Sequence, residues 1–131
     1  MIFSETTEDH LASVEIFLGE VYDVVVDFDP LGMDEFWIDD KVITINDTQS
    51  PRKQLFVLLH EAGHVILRSN SEFSKMFPGA ETSKIEILKE EVMAWEEARK
   101  LANKLEIPMG KDWDIHVRQA IMLDRDWETS C

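Results

Sequence analysis

The sequence predicts an α+β domain, in which a small, mainly antiparallel sheet packs against one long helix and two or three further helices. Residues 21–28 and 41–46 are rich in β-branched side chains, which favour strands. The segments 51–68 and 83–105 instead repeat their apolar residues at the spacing of a helix with one buried face. Short strands followed by long helices are typical of an α+β fold.

The N-terminal part is expected to hold one helix and the strands. Residues 7–18 carry apolar side chains at helical spacing, and Gly19 is expected to end this helix. The strand of residues 21–28 follows, and a turn sequence containing proline and glycine ends it. Residues 35–38 and 41–46 flank two aspartates and are predicted to be the arms of a β-hairpin.

The C-terminal part is expected to be helical. A serine followed by a proline is typical of a helix start, so the first long helix is predicted to begin after Ser50 as its N-cap. A loop over residues 70–83 leads to the helix of residues 83–105. Asp112 is expected to cap a last helix that ends at Leu123.

Composition limits the class of protein. One domain is expected for 131 residues, with a core over 21–123 and a flexible tail at 124–131. A net charge of −14 disfavours direct binding of nucleic acid and favours a basic protein partner or substrate. No apolar run approaches the ~20 residues of a membrane span, and the acidic N-terminus does not resemble a signal peptide. The single cysteine, Cys131, forms no intrachain disulfide, which indicates the cytoplasm.

The most informative motif lies in the first long helix and has the pattern H-E-x-x-H, formed by His60-Glu61-Ala62-Gly63-His64. Histidines four positions apart on a helix share one face, about 5–6 Å apart at Cβ, so both imidazoles can bind one zinc ion. Glu61 can then act as general base on a zinc-activated water. Gly63 adds no side chain that would crowd the metal or an approaching strand. The motif predicts zinc-dependent hydrolysis, with a peptide bond as the expected target.

A catalytic zinc site usually has three protein ligands, so a third is expected. Glu91 lies near the middle of the apolar face of the helix at 83–105, where a carboxylate is costly unless it is paired or binds a cation. Glu91 is therefore the predicted third ligand. Two alternatives stay open: Glu91 could form a buried salt bridge to a lysine or arginine, or Glu90 could be the ligand.

Two histidines and one glutamate leave a position open for water on the ion. A further donor could stabilise the negative charge that develops on the substrate carbonyl oxygen. Tyr22, His10 and His116 are the candidates for this donor, and the sequence does not choose among them.

The same stretch resembles the ImmA/IrrE group of zinc-dependent metallopeptidases. The resemblance covers about residues 36–108 and rests on the strand of residues 42–46, the H-E-x-G-H motif and the E-x-x-A pattern of Glu91 and Ala94. It implies a compact, zincin-like α+β domain with Glu61 as catalytic base and with three zinc ligands: His60, His64 and Glu91. Trp95 departs from the pattern, because that position is often polar in the group.

Members of the group occur in bacteria, phages and mobile elements, and some cleave a DNA-binding repressor. The resemblance therefore implies a specific protein substrate, such as a repressor or another regulator. The short, acidic architecture fits a phage-encoded protein. A partner or trigger for activity is compatible with the same resemblance.

Two other functions fit the sequence. In the first, the chain is an inactive, acidic interaction module whose zinc site is structural or vestigial and whose acidic helix face binds a basic partner. The residues expected on that exposed face are Glu86, Glu90, Glu96 and Glu97. In the second, the chain is a peptidase whose cleft is covered by its own loop over residues 70–83, which contains Phe73, Met76 and Phe77.

Overall fold

The computed structural model describes residues 6–70 and 84–129. This part of the chain confirms the α+β class, with four helices and a three-stranded sheet. Helix α2 packs against α1, α3 and the sheet, so it occupies the centre of the domain. The elements in chain order are α1 (Thr7–Tyr22), β1 (Val25–Phe28), β2 (Glu35–Trp37), β3 (Val42–Ile45), α2 (Pro51–Arg68), α3 (Lys84–Lys104) and α4 (Lys111–Thr129).

The sheet is mixed, with the strand order β1-β3-β2. Strands β2 and β3 pair antiparallel, with Phe36 opposite Ile43, which confirms the predicted hairpin. Strand β1 pairs parallel to β3, with Val26 also opposite Ile43. The sequence did not predict this parallel pairing. Since β3 is central, β2 lies at one edge of the sheet.

Helix α1 is longer than predicted. It continues through Gly19 to Tyr22, so the first residues of the predicted strand are helical instead. The helix ends at Asp23, which adopts a left-handed conformation with φ 57° and donates its N–H to the Leu18 carbonyl. Val21 is 57% exposed, so its β-branched side chain gains little from packing, and the helix cap determines the local structure.

Helix α2 begins as the sequence predicts. The Ser50 side chain accepts a hydrogen bond from the Lys53 N–H, and Pro51 occupies the first turn. Most of the predicted apolar stripe of α2 is buried, with Leu55, Leu58 and Leu59 fully enclosed, whereas Ile66 is half-buried. These side chains anchor α2 in the main core, which also contains residues of α1, the sheet and α3.

Helices α2 and α3 lie very close together at Gly63. A Cβ atom built on Gly63 would lie 2.1 Å from the Ala94 carbonyl oxygen of α3. The expectation that Gly63 leaves room for a metal or a strand is therefore wrong. The absent side chain instead makes room for the backbone of the neighbouring helix.

The last helix extends beyond its predicted end. It begins at Lys111, so Asp112 lies within its first turn, and it continues past Leu123 to Thr129. Neither glycine nor proline interrupts this segment, which explains the extension. The Asp112 carboxylate accepts a hydrogen bond from Arg52 Nε at 2.9 Å, which ties α4 to the first turn of α2.

The predicted loop over residues 70–83 falls almost wholly outside the described residues, which resume at 84. The predicted cover of the cleft by Phe73, Met76 and Phe77 lies outside the described residues as well. Within the described ranges, no helix combines the length and the apolar composition needed to cross a membrane.

We predict that Gly63→Ala destabilises the protein by about 1–3 kcal/mol, because the new methyl group would overlap backbone atoms that cannot move independently. The free energy of unfolding, measured by denaturant titration, tests this. Gly19→Ala is the matched control, since that glycine is also helical and its nearest neighbour would be 3.9 Å from the new Cβ. The control is expected to be neutral or to stabilise α1 by up to about 1 kcal/mol. Equal effects of the two substitutions would contradict the tight contact.

Candidate metal centre

Helix α2 brings the H-E-x-x-H side chains together near the middle of the domain. The rings of His60 and His64 have centroids 4.7 Å apart. Nitrogen atoms of both rings and a carboxylate oxygen of Glu61 all lie within 4.8 Å of one another. Glu61 is only 8% exposed, so its carboxylate is held in a largely dehydrated position beside the two imidazoles.

Helix α3 contributes Glu91 to the same place. One carboxylate oxygen of Glu91 lies 2.8 Å from His60 Nε2, and the other lies 3.0 Å from His64 Nε2. Both imidazoles therefore direct the same ring nitrogen towards one carboxylate. The described contacts of Glu91 are with histidines, and the buried salt bridge to an arginine involves its neighbour Glu90 instead.

These residues fit a divalent cation. Imidazole nitrogen and carboxylate oxygen are donors that zinc accepts, and both Nε2 atoms converge on the Glu91 carboxylate. A cation bound here would be held by His60, His64 and Glu91, and the Glu61 carboxylate would lie beside it. The assignment of these four roles stays a prediction.

Glu90 has a role that the sequence did not predict. This residue was expected on the exposed helix face, but it is 9% exposed, so that expectation is wrong. One Glu90 oxygen accepts hydrogen bonds from His64 Nδ1 at 2.8 Å and from Arg68 Nε at 3.2 Å. A second Arg68 nitrogen binds the other oxygen. Because carboxylate accepts but cannot donate, Glu90 holds the proton on Nδ1 and directs Nε2 towards the site.

A sequence signal for this pair was available. Arg68 follows His64 by four positions on α2, which places the two side chains on one helix face. Glu90 directly precedes the predicted ligand Glu91. An arginine one turn after a predicted histidine ligand, with two adjacent glutamates on the next helix, is compatible with a carboxylate that supports the histidine.

The protonation states reflect this crowding of charge. Burial raises the pKa of Glu61 to about 7, although the neighbouring His64 favours its charged form. Burial disfavours the charge on His64, but hydrogen bonds to Glu90 and Glu91 outweigh it and raise the His64 pKa to about 10. Burial opposes the charge on Glu91 too, yet both histidines hold its pKa well below the usual value. A cation that binds here must displace a proton from His64, so metal binding is coupled to proton release.

The three candidate oxyanion donors lie in different places. His10 is buried in α1, and Tyr22 ends that helix with its ring packed edge-on against Phe17. His116 is half-buried on α4. None of the three lines the cleft at the metal centre in the described part of the chain. That cleft has a volume of about 230 Å³ and is lined by Glu35, Phe36, Ile38, Glu61, His64, Arg68, Glu90 and Glu91.

A comparison with protein families identifies the group. The family model of the M78 peptidases, described as an IrrE N-terminal-like domain, matches residues 22–107. The chain belongs to the M78 peptidase family. The match contains the sheet, α2 and α3, and therefore every residue of the candidate metal centre, which confirms the predicted resemblance. Helix α4 of this M78 protein lies outside the matched residues. Searches of curated proteins and of solved structures found no significant match.

We predict that Glu90→Gln lowers zinc affinity by about 10–100-fold, because an amide places a donor against Arg68 and binds the His64 N–H less strongly. Zinc affinity is measured by competition with a chelator of known strength. Glu96→Gln, an exposed change on the same helix, is the matched control and is expected to leave the affinity unchanged. An unaltered affinity in Glu90→Gln would show that this carboxylate does not support the site.

Proposed function

We propose that this M78 protein is a zinc-dependent peptidase that hydrolyses a peptide bond in a specific protein substrate. One observation carries the proposal. The Nε2 atoms of two histidines converge on the carboxylate of Glu91, and the buried carboxylate of Glu61 lies beside them in an accessible cleft. Membership of a peptidase family supports the same conclusion.

The residues divide into ligands and a base. His60, His64 and Glu91 would hold the ion through two neutral imidazoles and one carboxylate. When bound, zinc lowers the pKa of water and polarises a carbonyl group. Glu90 keeps the His64 ring in the orientation that presents Nε2 to the site.

Glu61 is suited to proton transfer. It follows His60 directly in α2 and is buried, so its carboxylate is poorly solvated and its pKa lies near 7. A cation beside it favours the charged form, which is the form that a base needs. Glu61 accepts a proton from the water that attacks the scissile carbonyl, and it then donates that proton to the leaving nitrogen.

The wall of the cleft suits an extended polypeptide. Strand β2 lies at the edge of the sheet, and its residues Glu35 and Phe36 line the cleft together with Ile38. A substrate segment can pair with such an edge strand through main-chain hydrogen bonds, and its side chains then determine specificity. This arrangement supports a protein substrate rather than a small amide.

The charge of the protein favours a basic substrate segment. A net charge of −14 attracts lysine- and arginine-rich polypeptides. A regulator such as a DNA-binding repressor carries such segments, and we propose regulators of this kind as the substrate class. Action in the cytoplasm is part of the same proposal.

The same acidity favours the second candidate, an inactive module that binds a basic partner. Glu90 no longer belongs to its acidic face, because this residue is buried and bound to Arg68. Of the other residues predicted for that face, Glu96 is exposed, whereas Glu86 and Glu97 are half-buried. The two candidates differ in whether the protein cleaves what it binds.

We expect Glu61→Gln to retain bound zinc and to lose cleavage by at least about 100-fold, because the amide cannot accept the proton. Zinc content is measured by elemental analysis. Cleavage is measured by mass spectrometry of new termini, in proteome-derived peptides and in intact candidate proteins from neighbouring genes.

Two further variants serve as controls for this experiment. His60→Ala is expected to lose both zinc and cleavage, whereas Glu96→Gln is expected to keep both. Full activity of Glu61→Gln would remove this residue from the mechanism. Stoichiometric zinc with no cleavage by the unsubstituted protein would favour the interaction module.

A further inference from the structure

The His60 ring is packed flat against an indole. Its centroid lies 4.1 Å from that of Trp95, and the two ring planes differ by 11°. Trp95 is 5% exposed, so the stacked pair is shielded from solvent. The contact is the flattest aromatic stack among the described rings, whose other close pairs meet edge-on or tilted.

The stack results from the same helix packing that builds the metal centre. Trp95 follows Glu91 by four positions on α3, as His64 follows His60 on α2. Residues four apart share a helix face, so α3 presents a carboxylate and an indole side by side to the two histidines. The close contact of Gly63 with Ala94 lies beside this arrangement and sets the separation of the helices.

Helix α4 also contacts the Trp95 ring. The rings of Trp113 and His116 meet the indole edge-on, with centroids 5.3 Å and 5.5 Å away. The indole N–H of Trp95 is buried and has no hydrogen-bond partner among the described residues. The orientation of Trp95 therefore follows from ring packing, and α4 supplies part of that packing.

The two histidines are thus supported in different ways. His64 is held at its ring edge by the carboxylate of Glu90, whereas His60 is held at its ring face by Trp95. A flat stack limits rotation of the imidazole about its χ2 bond, because the ring cannot turn without displacing the indole. The direction of His60 Nε2 towards Glu91 depends on this rotation.

We propose that Trp95 is a positioning residue for His60, and that α4 contributes to the metal centre by holding Trp95 in place. The inference rests on the proposed function, since it assigns His60 as a metal ligand. It extends that function beyond the family-matched segment, because α4 lies outside residues 22–107.

Substitutions at Trp95 separate stacking from simple filling of space. Trp95→Phe keeps an aromatic face and is expected to bind zinc within about threefold of the unsubstituted protein. Trp95→Leu stays apolar and is closer in size to phenylalanine than to tryptophan, but it has no aromatic face, and it is expected to bind zinc about 10-fold more weakly. Affinity is measured by chelator competition on the full chain, below the melting temperature of each metal-free variant.

The visible absorption spectrum of the cobalt-loaded protein gives a second readout, because it depends on the geometry of the ligands around the ion. We expect Trp95→Leu to change this spectrum and Trp95→Phe to preserve it. If Trp95→Leu does not fold, Trp95→Met takes its place with the same expectation, since methionine adapts to irregular apolar space.

Trp113→Leu tests the contribution of α4. It removes an indole of similar burial whose ring contacts are with Phe56 and Trp95. We expect it to lower the melting temperature as Trp95→Leu does, with a smaller loss of zinc affinity. Equal affinity of Trp95→Leu and Trp95→Phe would overturn the role of Trp95, and an unchanged affinity in Trp113→Leu would overturn the contribution of α4. Failure of the unsubstituted protein to bind zinc would instead contradict the proposed function.

Discussion

The close approach of α2 and α3 at Gly63 is the constraint on which the rest of the metal centre depends. A residue with a side chain at this position would push the Ala94 backbone away, because the space for a Cβ atom is already filled. Glu91 lies one turn before this contact and reaches both histidines. Trp95 directly follows Ala94 and stacks on His60. The glycine within the H-E-x-x-H motif therefore determines how far the third predicted ligand lies from the first two.

The centre buries more negative than positive charge. Glu61, Glu90 and Glu91 line the cleft, and Arg68, which also lines it, forms its salt bridge with Glu90. Without a metal, histidine protonation supplies the missing positive charge, as the raised pKa of His64 shows. A divalent cation would supply the same charge and release the proton. The charged groups that can bind a metal cost free energy when they are buried without one. Metal binding is therefore expected to increase the free energy of unfolding.

Sequence reasoning succeeded where local pattern determines structure. The start of α2 follows from Ser50 and Pro51, and the predicted hairpin agrees with the observed pairing of β2 and β3. It failed where two local signals compete. The β-branched Val21 favoured a strand, but the cap at Asp23 extends α1 past it. Helical periodicity placed Glu91 on the inward face, yet it could not show that Glu90 is also buried, since the partner Arg68 comes from another helix.

By itself the sequence determined the α+β class, the helix that carries His60, Glu61 and His64, and the resemblance that the family match confirms. These depend on residue spacing within single elements. Only the tertiary structure decided the parallel pairing of β1, the contact of Gly63 with α3 and the different supports of the two histidines. Each of these joins residues that are distant in sequence, and their distances depend on how whole helices and strands pack, which local spacing does not specify.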